Sequence, residues 1–342
     1  MEIPATQTAV QVTAFGFDNF KVAQTPVPSP GNGEVLVRIS VRPLNPSDVF
    51  CVLGVYPGYK PKGFPAVLGL EGTGQVAKLG PGCSGRLAEG QRVVAVNWRQ
   101  AAEGNGTWQQ FLVAREEDLV PVPDDLSDEA ACQALINPVP VIGMFQDLAA
   151  PQGEYVIITA AGSALGRMAL RYARHIGVKT IATCRRAEQV SELKEAGADE
   201  VFVLTSDADS EAMAARVSEL TGGKGAWGAM DSVAGRSPLL VAPSVRQGGS
   251  IIVYGAMSEP GVEWHVGQAL FRMVALKGFW LVPWLDAQPI EAQREMISKV
   301  LQLMKEGVLP PAKVDVRPLE EVAAALRDQG QVGRTDKIVL RG

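Results

Sequence analysis

The amino-terminal part of the chain, up to about residue 125, consists of short apolar runs that are broken by Gly and Pro. In the segment Glu34–Val41 apolar residues recur at every second position, which is the period of a strand with one buried face. The runs Val67–Val76 and Arg92–Trp98 indicate further strands that turns connect. The pattern therefore predicts an irregular, barrel-like β domain over residues 1–125.

From about residue 126 the pattern changes, because strand-like runs now alternate with helical ones. The predicted strands are Tyr155–Thr159, Thr180–Cys184, Glu200–Leu204, Ala226–Asp231, Ser250–Tyr254 and Ala275–Leu281. Helical patterns separate the first of these strands, one beginning at Ser163 and one ending near Gly197. Such alternation is typical of a doubly wound parallel sheet of the α/β class. We therefore predict a second domain over residues 126–287.

The carboxyl-terminal segment returns to a strand pattern after one long helix. Residues Ile290–Glu306 carry apolar side chains at helical spacing. The segments Lys313–Val316 and Lys337–Leu340 then indicate strands again. We infer that residues 288–342 rejoin residues 1–125, so that the first domain is discontinuous in sequence.

Composition and charge exclude several function classes. The chain has 342 residues, of which 46% are hydrophobic, and a net charge of -5, which suits a two-domain globular enzyme and indicates no binding to nucleic acid or to a membrane surface. No apolar run reaches the roughly 18 residues that span a bilayer, and the first residues show no signal-peptide pattern. The cysteines lack metal-ligand or disulfide spacing. We therefore expect a soluble, cytoplasmic enzyme.

A turn of small residues follows the first strand of the predicted α/β domain. The strand Tyr155–Thr159 leads into Ala160–Gly166 and then into a helix, so that backbone N–H groups and the helix N-terminus can approach a pyrophosphate. Aligned on Gly166, the dinucleotide-binding pattern GxGxxG lacks its first two glycines, which are Ala161 and Ser163 here. The turn is compatible with dinucleotide binding and also with an ordinary connection between strand and helix.

Two arginines follow the second strand of this domain, where a dinucleotide fold distinguishes NAD from NADP. An acidic residue there would accept hydrogen bonds from the ribose 2′-hydroxyl and repel a 2′-phosphate. Arg185 and Arg186 can instead hold that phosphate by charge-assisted hydrogen bonds. The sequence therefore favours NADPH as cofactor. The alternative is that both arginines are simply solvated at a strand end.

Histidine and metal chemistry find little support in the sequence. The chain has two histidines, and neither His175 nor His265 lies near a Cys or Glu at ligand spacing. A Ser-His-Asp triad, a Cys-His pair or a catalytic zinc would each need a better-placed imidazole. Hydride transfer needs none, because a nicotinamide supplies the reactive bond. We therefore expect no metal in the site.

In their order along the chain, these features resemble the medium-chain dehydrogenase/reductase superfamily, in which a GroES-like catalytic domain accompanies a Rossmann domain. Zinc alcohol dehydrogenases of this superfamily carry a cysteine ligand in the segment that is Asn45–Asp48 here. Their histidine ligand stands where this chain has Leu70, between Gly69 and Glu71. The four-cysteine loop that binds structural zinc is also missing. The chain thus resembles the zinc-independent members.

Several short segments are similar to those of the mitochondrial-type 2-enoyl-CoA and 2-enoyl-acyl-carrier-protein reductases. They are Asn45–Asp48, Gly54–Pro57, Gly106–Trp108, Ile136–Pro138, Ala161–Gly166, Tyr254–Met257 and Gly278–Trp280. The resemblance covers nearly the whole chain, and it implies a homodimer that reduces an α,β-unsaturated thioester in fatty acid metabolism. The acyl carrier, CoA or acyl-carrier protein, stays open.

Carried over by position, this resemblance implies that Tyr56 is the catalytic residue. The implied NADPH-site residues are Asn45, Asn137, Gly162, Ser163, Ala164, Leu165, Arg185, Arg186, Tyr254, Gly255, Ala256, Met257, Phe279, Trp280, Leu281, Val282 and Lys337. We expect Trp280 and Trp284 to form walls of the substrate pocket, with core packing as the alternative. We expect Asp48 to order its own loop through hydrogen bonds from its side chain to the backbone.

The implied reaction transfers a hydride to Cβ of the thioester, which places negative charge on the carbonyl oxygen. A phenol with a pKa of about 10 is protonated at neutral pH, so Tyr56 can donate a hydrogen bond to that oxygen. Tyr56, or a water that it holds, is then the expected proton donor to Cα. Two alternatives stand beside this interpretation: a zinc-free NADPH:quinone or alkenal reductase, and a non-catalytic NADPH-binding redox sensor.

Overall fold

The chain divides into two units by the contacts among its residues. The computed structural model describes residues 2–329 and 336–342, without the side chains of Glu259 and Pro260. The first unit consists of Met1–Ile136 and Leu285–Gly342, and the second unit consists of Asn137–Trp284. None of the helices in the described residues combines the length and the apolar character that crossing a bilayer requires.

Strands dominate the first unit and alternate with helices in the second. In chain order the strands are β1 (Thr6–Val12), β2 (Phe20–Pro26), β3 (Glu34–Pro43), β4 (Ala66–Val67), β5 (Thr73–Leu79), β6 (Arg92–Ala95), β7 (Phe111–Arg115), β8 (Leu119–Pro121), β9 (Tyr155–Ile158), β10 (Lys179–Cys184), β11 (Glu200–Val203), β12 (Ala226–Asp231), β13 (Ala234–Gly235), β14 (Val245–Val253), β15 (Glu259–Val262), β16 (Ala275–Gly278), β17 (Val314–Pro318) and β18 (Lys337–Arg341). The helices are α1 (Pro46–Val52), α2 (Asp128–Ala131), α3 (Pro138–Leu148), α4 (Ala164–His175), α5 (Val190–Glu195), α6 (Asp207–Leu220), α7 (Ser237–Val241), α8 (Val266–Leu270), α9 (Leu281–Asp286), α10 (Ile290–Lys305) and α11 (Val322–Gln329). Short 3₁₀ turns lie at Arg99–Glu103, Glu116–Asp118, Ala187–Gln189, Ala242–Ser244 and Leu319–Glu321.

Strand β3 forms the centre of the main sheet of the first unit. It pairs with β5, β7 and β18 in antiparallel fashion, and the order among the described residues is β17-β18-β3-β5-β6-β8. Val35, Val37 and Ile39 are buried together with Trp98 and Leu112, as the alternating pattern of β3 predicts. The β-rich character predicted for this part of the chain is confirmed.

The second unit contains a parallel sheet in the order β11-β10-β9-β12-β14-β16. Within the unit this is the strand order 3-2-1-4-5-6 of a dinucleotide-binding fold, in which the direction of winding reverses between β9 and β12. Every residue of β9 is buried, as expected for a central strand that is covered on both faces. The doubly wound fold predicted from the alternation of strands and helices is confirmed. Folds of this kind bind ligands beyond the carboxyl ends of the strands, at the point of reversal.

Three predicted strands are clearly shorter than the apolar runs that indicated them, and one of these, Arg92–Trp98, is a strand only as far as Ala95. The run Val67–Val76 is divided into β4 and β5, because Gly69 has a φ of +101° and lies so close to Trp108 that a side chain at this position would clash. The run Ala275–Leu281 ends as a strand at Gly278, and helix α9 begins at Leu281. Tertiary packing causes the break at Gly69, and periodicity alone does not report packing.

Candidate active site

The turn after β9 brings helix α4 very close to the strand. The hydroxyl of Ser163 caps α4 by accepting a hydrogen bond from the Gly166 backbone N–H at 3.0 Å. A Cβ atom at Gly166 would lie 2.7 Å from both the Cα and the carbonyl oxygen of Ala161. Only glycine fits at this position, which corresponds to the third glycine of the dinucleotide-binding pattern.

Arg185 and Arg186 lie directly after β10 with exposed side chains. Within the described part of the chain, no hydrogen bond or ion pair joins either guanidinium to another residue. The guanidinium of Arg167 is instead engaged, at 2.7 Å by the Glu192 carboxylate and at 3.1 Å by the Gly162 carbonyl oxygen. Two uncommitted cations therefore stand at the end of β10, where a phosphate group could bind them.

The loop Tyr254–Met257 is held over the end of β12 by backbone hydrogen bonds. The Tyr254 N–H donates to the carbonyl oxygen of Asp231 at 2.9 Å, and the Met257 N–H donates to that of Ser232 at 3.1 Å. The carboxylate of Asp231 accepts a hydrogen bond from the hydroxyl of Thr159, the residue after β9, at 2.8 Å. Burial raises the pKa of Tyr254 to about 12, so that its phenol is neutral. These bonds fix the loop across the ends of two neighbouring strands.

Phe279 and Trp284 pack against helix α3 at its small residue Gly143. A Cβ atom at Gly143 would lie 2.8 Å from the Phe279 ring, and the two aromatic rings are 5.6 Å apart. The indole N–H of Trp284 donates to the Asp147 carboxylate at 3.3 Å. Trp284 thus takes part in packing, as the alternative interpretation holds, whereas Trp280 leaves 41% of its surface exposed.

The predicted cofactor residues of the second unit, apart from Asn137, follow the carboxyl ends of strands in a single sheet. Gly162–Leu165 come after β9, Arg185 and Arg186 after β10, Tyr254–Met257 after β14, and Phe279–Val282 after β16. Asn137 lies at the N-terminus of α3. Because parallel strands end at the same edge, the structure gathers these residues along one side of the sheet.

Tyr56 is half-buried in a tight turn that follows helix α1 in the first unit. Its backbone N–H donates to the Phe50 carbonyl oxygen at 3.2 Å, and its own carbonyl oxygen accepts from the Tyr59 N–H at 3.1 Å. Gly54 makes the turn with a φ of +73°, and a Cβ atom there would lie 2.7 Å from the Phe15 ring. Backbone hydrogen bonds and close packing therefore fix the main chain around Tyr56.

Asn45, Asp48, Glu71 and Lys337 form a largely buried polar group in the first unit, which we name the Asn45 cluster. The Asn45 amide donates to the Glu71 carboxylate at 3.0 Å and accepts a hydrogen bond from the Lys337 ammonium. The Asp48 carboxylate accepts from the Asn45 backbone N–H at 2.7 Å, which confirms the loop-ordering role expected for Asp48. The structure thus brings together Asn45 and Lys337, which are 292 positions apart.

Burial controls the ionisation of the Asn45 cluster. It raises the pKa of Asp48 to about 7, although the Asn45 backbone N–H and the charge of Lys337 act in the opposite direction. Burial also raises the pKa of Glu71 and lowers that of Lys337, and the opposite charge of the partner opposes each shift. The opposite charges of Glu71 and Lys337 therefore favour the ionised form of each against the effect of burial, and the pKa of Asp48 lies near neutral pH.

Glu71 was not among the predicted site residues, although the sequence contains a signal for it. A glutamate inside the apolar run Val67–Val76 must either break the strand or find buried partners, because an unpaired buried charge is costly. The residue is 4% exposed, and its carboxylate accepts from the backbone N–H groups of Leu135 and Ile136 at 2.8 and 3.0 Å. These partners come from another part of the chain, so the sequence alone does not identify them.

The residues at the positions of the zinc ligands do not fit a catalytic zinc ion. The side chain of Leu70 offers no donor atom, and the Asn45 amide is already engaged by charged partners. The Lys337 ammonium supplies positive charge to the cluster and would repel a second cation. Among the residues that the structure describes, no group of three or more His, Cys, Asp or Glu side chains could hold a metal ion.

Two family models match the chain. Residues 31–124 match the alcohol dehydrogenase GroES-like domain, and residues 164–306 match the zinc-binding dehydrogenase family. The first match lies in the first unit, and the second begins at the helix after the small-residue turn. The GroES-like fold expected for the β-rich part of the chain is thereby confirmed.

Characterised relatives and solved structures are similar over most of the chain. The mitochondrial enoyl-[acyl-carrier-protein] reductase of Caenorhabditis elegans is 33% identical over 303 residues, which cover 87% of this chain and 83% of the relative. A mycobacterial quinone oxidoreductase has a TM-score of 0.83 at 26% identity and covers 98% of this chain and 100% of its own. A mycobacterial protein solved in complex with NADPH has a TM-score of 0.78 at 25% identity, with the same coverage of 98% and 100%.

Proposed function

Because this chain belongs to the medium-chain dehydrogenase/reductase superfamily, we propose that it is an NADPH-dependent reductase of 2-enoyl thioesters. Membership makes it an oxidoreductase, and the similarity to enoyl-[acyl-carrier-protein] reductases supports the substrate class. The observation that carries the proposal is the pair of uncommitted guanidinium groups, Arg185 and Arg186, at the edge of a dinucleotide-binding sheet. They favour a cofactor with a 2′-phosphate.

In this proposal the second unit is the NADPH-binding domain, and the first unit is the GroES-like catalytic domain. The first turn of α4 presents backbone N–H groups beyond the Ser163 cap, and such groups bind pyrophosphate together with the helix dipole. Tyr254–Met257 and Phe279–Val282 belong to the same edge of the sheet and serve the nicotinamide half. Bound NADPH supplies the hydride that the β carbon of the substrate receives.

Tyr56 stabilises the charge that develops on the substrate in the proposed reaction. Addition of a hydride at Cβ moves an electron pair through Cα to the thioester oxygen, which becomes an enolate. A phenol O–H aimed at that oxygen strengthens its hydrogen bond as the charge grows, and this lowers the barrier. Proton transfer to Cα, from Tyr56 or from a water that it holds, then gives the saturated thioester. The fixed backbone around Gly54 suits this positioning role.

A second candidate function is the reduction of a quinone, and the similarity to a mycobacterial quinone oxidoreductase favours it. Both candidates use the same cofactor edge and differ in the acceptor. Initial rates of NADPH oxidation with crotonyl-CoA, a 2-alkenal and a benzoquinone distinguish them. We expect kcat/KM to be highest for the enoyl thioester. Turnover of the quinone alone would refute the thioester proposal, and NADPH binding without any turnover would favour a redox sensor.

The carrier of the acyl group is tested with the same assay. Enoyl-CoA and enoyl-acyl-carrier-protein substrates of equal chain length differ only in the group that the protein must recognise beyond the thioester. The enoyl-[acyl-carrier-protein] reductase named among the relatives supports the carrier protein, and we therefore expect the lower KM for that substrate. Equal KM values would indicate recognition of the acyl chain and thioester alone.

We also propose that the second unit mediates a homodimer. Strand β16 lies at the edge of its sheet, and all its residues are exposed, including Leu276. Leu270 and Phe271 lie close before it in sequence, and the Phe271 side chain is 78% exposed. An exposed edge strand with apolar side chains beside it pairs readily with a second chain. Analytical ultracentrifugation should show a dimer for the wild type and a monomer for Leu276→Lys; a monomeric wild type would contradict this.

A further inference from the structure

Glu71 joins separate segments of the first unit through one buried carboxylate. Its Oε1 accepts hydrogen bonds from the backbone N–H groups of Leu135 and Ile136 at 2.8 and 3.0 Å, and its Oε2 accepts from the Asn45 amide at 3.0 Å. Leu135 and Ile136 are the last residues before the chain enters the second unit at Asn137. The carboxylate therefore fixes the segment that carries Asn45 and the segment that leads to Asn137.

The charges of Glu71 and Lys337 also fix the orientation of the Asn45 amide. The amide NH₂ group faces the carboxylate, and the amide oxygen faces the ammonium. A flipped amide would place oxygen against carboxylate and NH₂ against ammonium, which removes two charge-assisted hydrogen bonds at once. The amide therefore has a single orientation, and its remaining N–H and lone pair point in defined directions.

A buried carboxylate and a partly buried ammonium with a neutral amide between them are costly to assemble. Replacing such a pair by apolar residues is often neutral or stabilising, so stability alone does not account for it. In the Asn45 cluster, the carboxylate of Glu71 and the ammonium of Lys337 each form a hydrogen bond with the Asn45 amide, and together these bonds fix the orientation of the amide. This arrangement is what a positioning device requires.

We propose that Glu71 is a positioning residue of the reductase, which orients Asn45 together with Lys337 and holds the backbone that leads to Asn137. The inference rests on the proposed function, because the cofactor-contacting roles predicted for Asn45 and Asn137 give the positioning its purpose.

The variant Glu71→Gln tests the proposal with little change in shape. Its amide oxygen can still accept from Leu135 and Ile136, but its NH₂ group faces the NH₂ group of Asn45, and Lys337 loses its counter-charge. Fluorescence titration should show an NADPH Kd raised about tenfold or more. At saturating NADPH, kcat should change much less than KM for NADPH. Wild-type affinity in Glu71→Gln would overturn the proposal.

The double variant Glu71→Gln/Lys337→Met separates positioning from a purely structural role. It removes both buried charges, so no ion is left without a partner and Tm should recover toward that of the wild type. No charge then orients the Asn45 amide, and the NADPH Kd should stay about tenfold or more above that of the wild type. The single variant Lys337→Met, measured beside it, gives the part of this loss that belongs to Lys337 itself. Recovery of affinity together with Tm would overturn the proposal, because a structural role alone predicts that both recover.

Glu116→Gln is the matched control. Glu116 is also buried in the first unit, and its carboxylate accepts from the Ser84 backbone N–H at 2.6 Å without contacting Asn45. We expect a lower Tm with an unchanged NADPH Kd. A wild type that binds NADPH but leaves enoyl thioesters unreduced would refute the proposed substrate and not the role of Glu71. Unchanged binding in Glu71→Gln would refute the role of Glu71 and not the substrate.

Discussion

The Asn45 cluster of the first unit and the end of β10 in the second unit use charge in opposite ways. In the cluster, Glu71 is buried, Lys337 is partly buried, and both bind the amide of Asn45. At the end of β10, Arg185 and Arg186 are exposed, and neither side chain has a partner among the described residues. The first arrangement holds protein atoms in place, and the second leaves charge available to a ligand.

The difference shows how positioning and binding can be separated by substitution. Removing one member of a buried pair leaves an uncompensated charge, which lowers stability strongly. Removing an exposed arginine changes stability little, because no protein partner depends on it. Variants of the cluster should therefore affect both Tm and cofactor binding, and variants of the arginines should affect cofactor binding alone.

The largest effect is expected for Tyr56→Phe. Tyr56 belongs neither to the Asn45 cluster nor to the arginines after β10, and its loss should slow the chemical step. Loss of one hydrogen-bond donor to a developing oxyanion typically lowers turnover on the order of a hundredfold or more. We expect kcat with crotonyl-CoA to fall by that factor, whereas the NADPH Kd stays at the wild-type value. Unchanged turnover would remove Tyr56 from the mechanism.

The next largest effect is expected for the double variant Arg185→Ala/Arg186→Ala, which tests the binding side of the comparison. A charge-assisted hydrogen bond contributes about 1.5–3 kcal/mol, so loss of the 2′-phosphate contacts should raise the NADPH Kd at least about tenfold. The NADH Kd and Tm should not change. The control is Arg174→Ala, an exposed arginine near the end of helix α4. Equal losses for NADPH and NADH would contradict the 2′-phosphate role.

A smaller effect is expected for Gly166→Ala, which tests whether close packing shapes the cofactor turn. The added methyl group would lie 2.7 Å from the Cα and the carbonyl oxygen of Ala161, so strand and helix must separate. Overpacking of this kind costs about 1–3 kcal/mol. We expect a lower free energy of unfolding in urea together with weaker NADPH binding.

Gly261→Ala is the control for that variant, because a Cβ atom at Gly261 would meet nothing within 4 Å. It should leave both the free energy of unfolding and the NADPH Kd unchanged. Wild-type NADPH binding by Gly166→Ala would mean that the close approach of helix and strand is not needed at this site.

The smallest effect is expected for the pH dependence of the free energy of unfolding, to which Asp48 of the Asn45 cluster contributes. Burial raises the pKa of Asp48 from 3.8 to about 7 in the folded protein; the Asn45 backbone N–H and the charge of Lys337 oppose this rise, and the charge of Glu71 contributes to it. The folded state therefore binds more protons than the unfolded state between these pH values. Asp48 stabilises the fold fully below about pH 4, and this contribution is lost as the pH rises toward 7, by at most about 1.4 kcal/mol per pH unit.

The variant Asp48→Asn removes this titration and keeps an acceptor for the Asn45 backbone N–H. Its free energy of unfolding, measured by urea titration at several pH values, should fall less between pH 4 and 7 than that of the wild type. Parallel pH profiles of the two proteins would show that Asp48 does not titrate in this range.

Features that depend on neighbouring residues could be predicted from the sequence. The alternation in β3, the parallel strands of the second unit and the beginning of α4 after Ser163 each follow from a local pattern. Arg185 and Arg186 could be selected as candidate phosphate ligands in the same way, because their predicted role depends on how far they lie from the preceding turn. In such cases sequence spacing translates directly into spatial position.

Features that depend on contacts between distant segments could not be predicted in this way. The resemblance named Asn45 and Lys337 as site residues. The side-chain amide of Asn45, however, can bind both Glu71 and Lys337 only because β18 pairs with β3. Glu71 finds its partners at Leu135 and Ile136, 64 and 65 positions away. Side-chain partners at such separations follow from the tertiary fold, which local periodicity does not encode.

The most direct test of the central claim follows the hydride itself. Crotonyl-CoA is reduced with NADPH that carries deuterium at C4 of the nicotinamide, on either face in turn, and the product is analysed by mass spectrometry and NMR. The proposed function predicts butyryl-CoA with one deuterium at C3 from one of the two labelled cofactors, and a solvent-derived hydrogen at C2. Absence of butyryl-CoA, or a product without label at C3 from either cofactor, would contradict it.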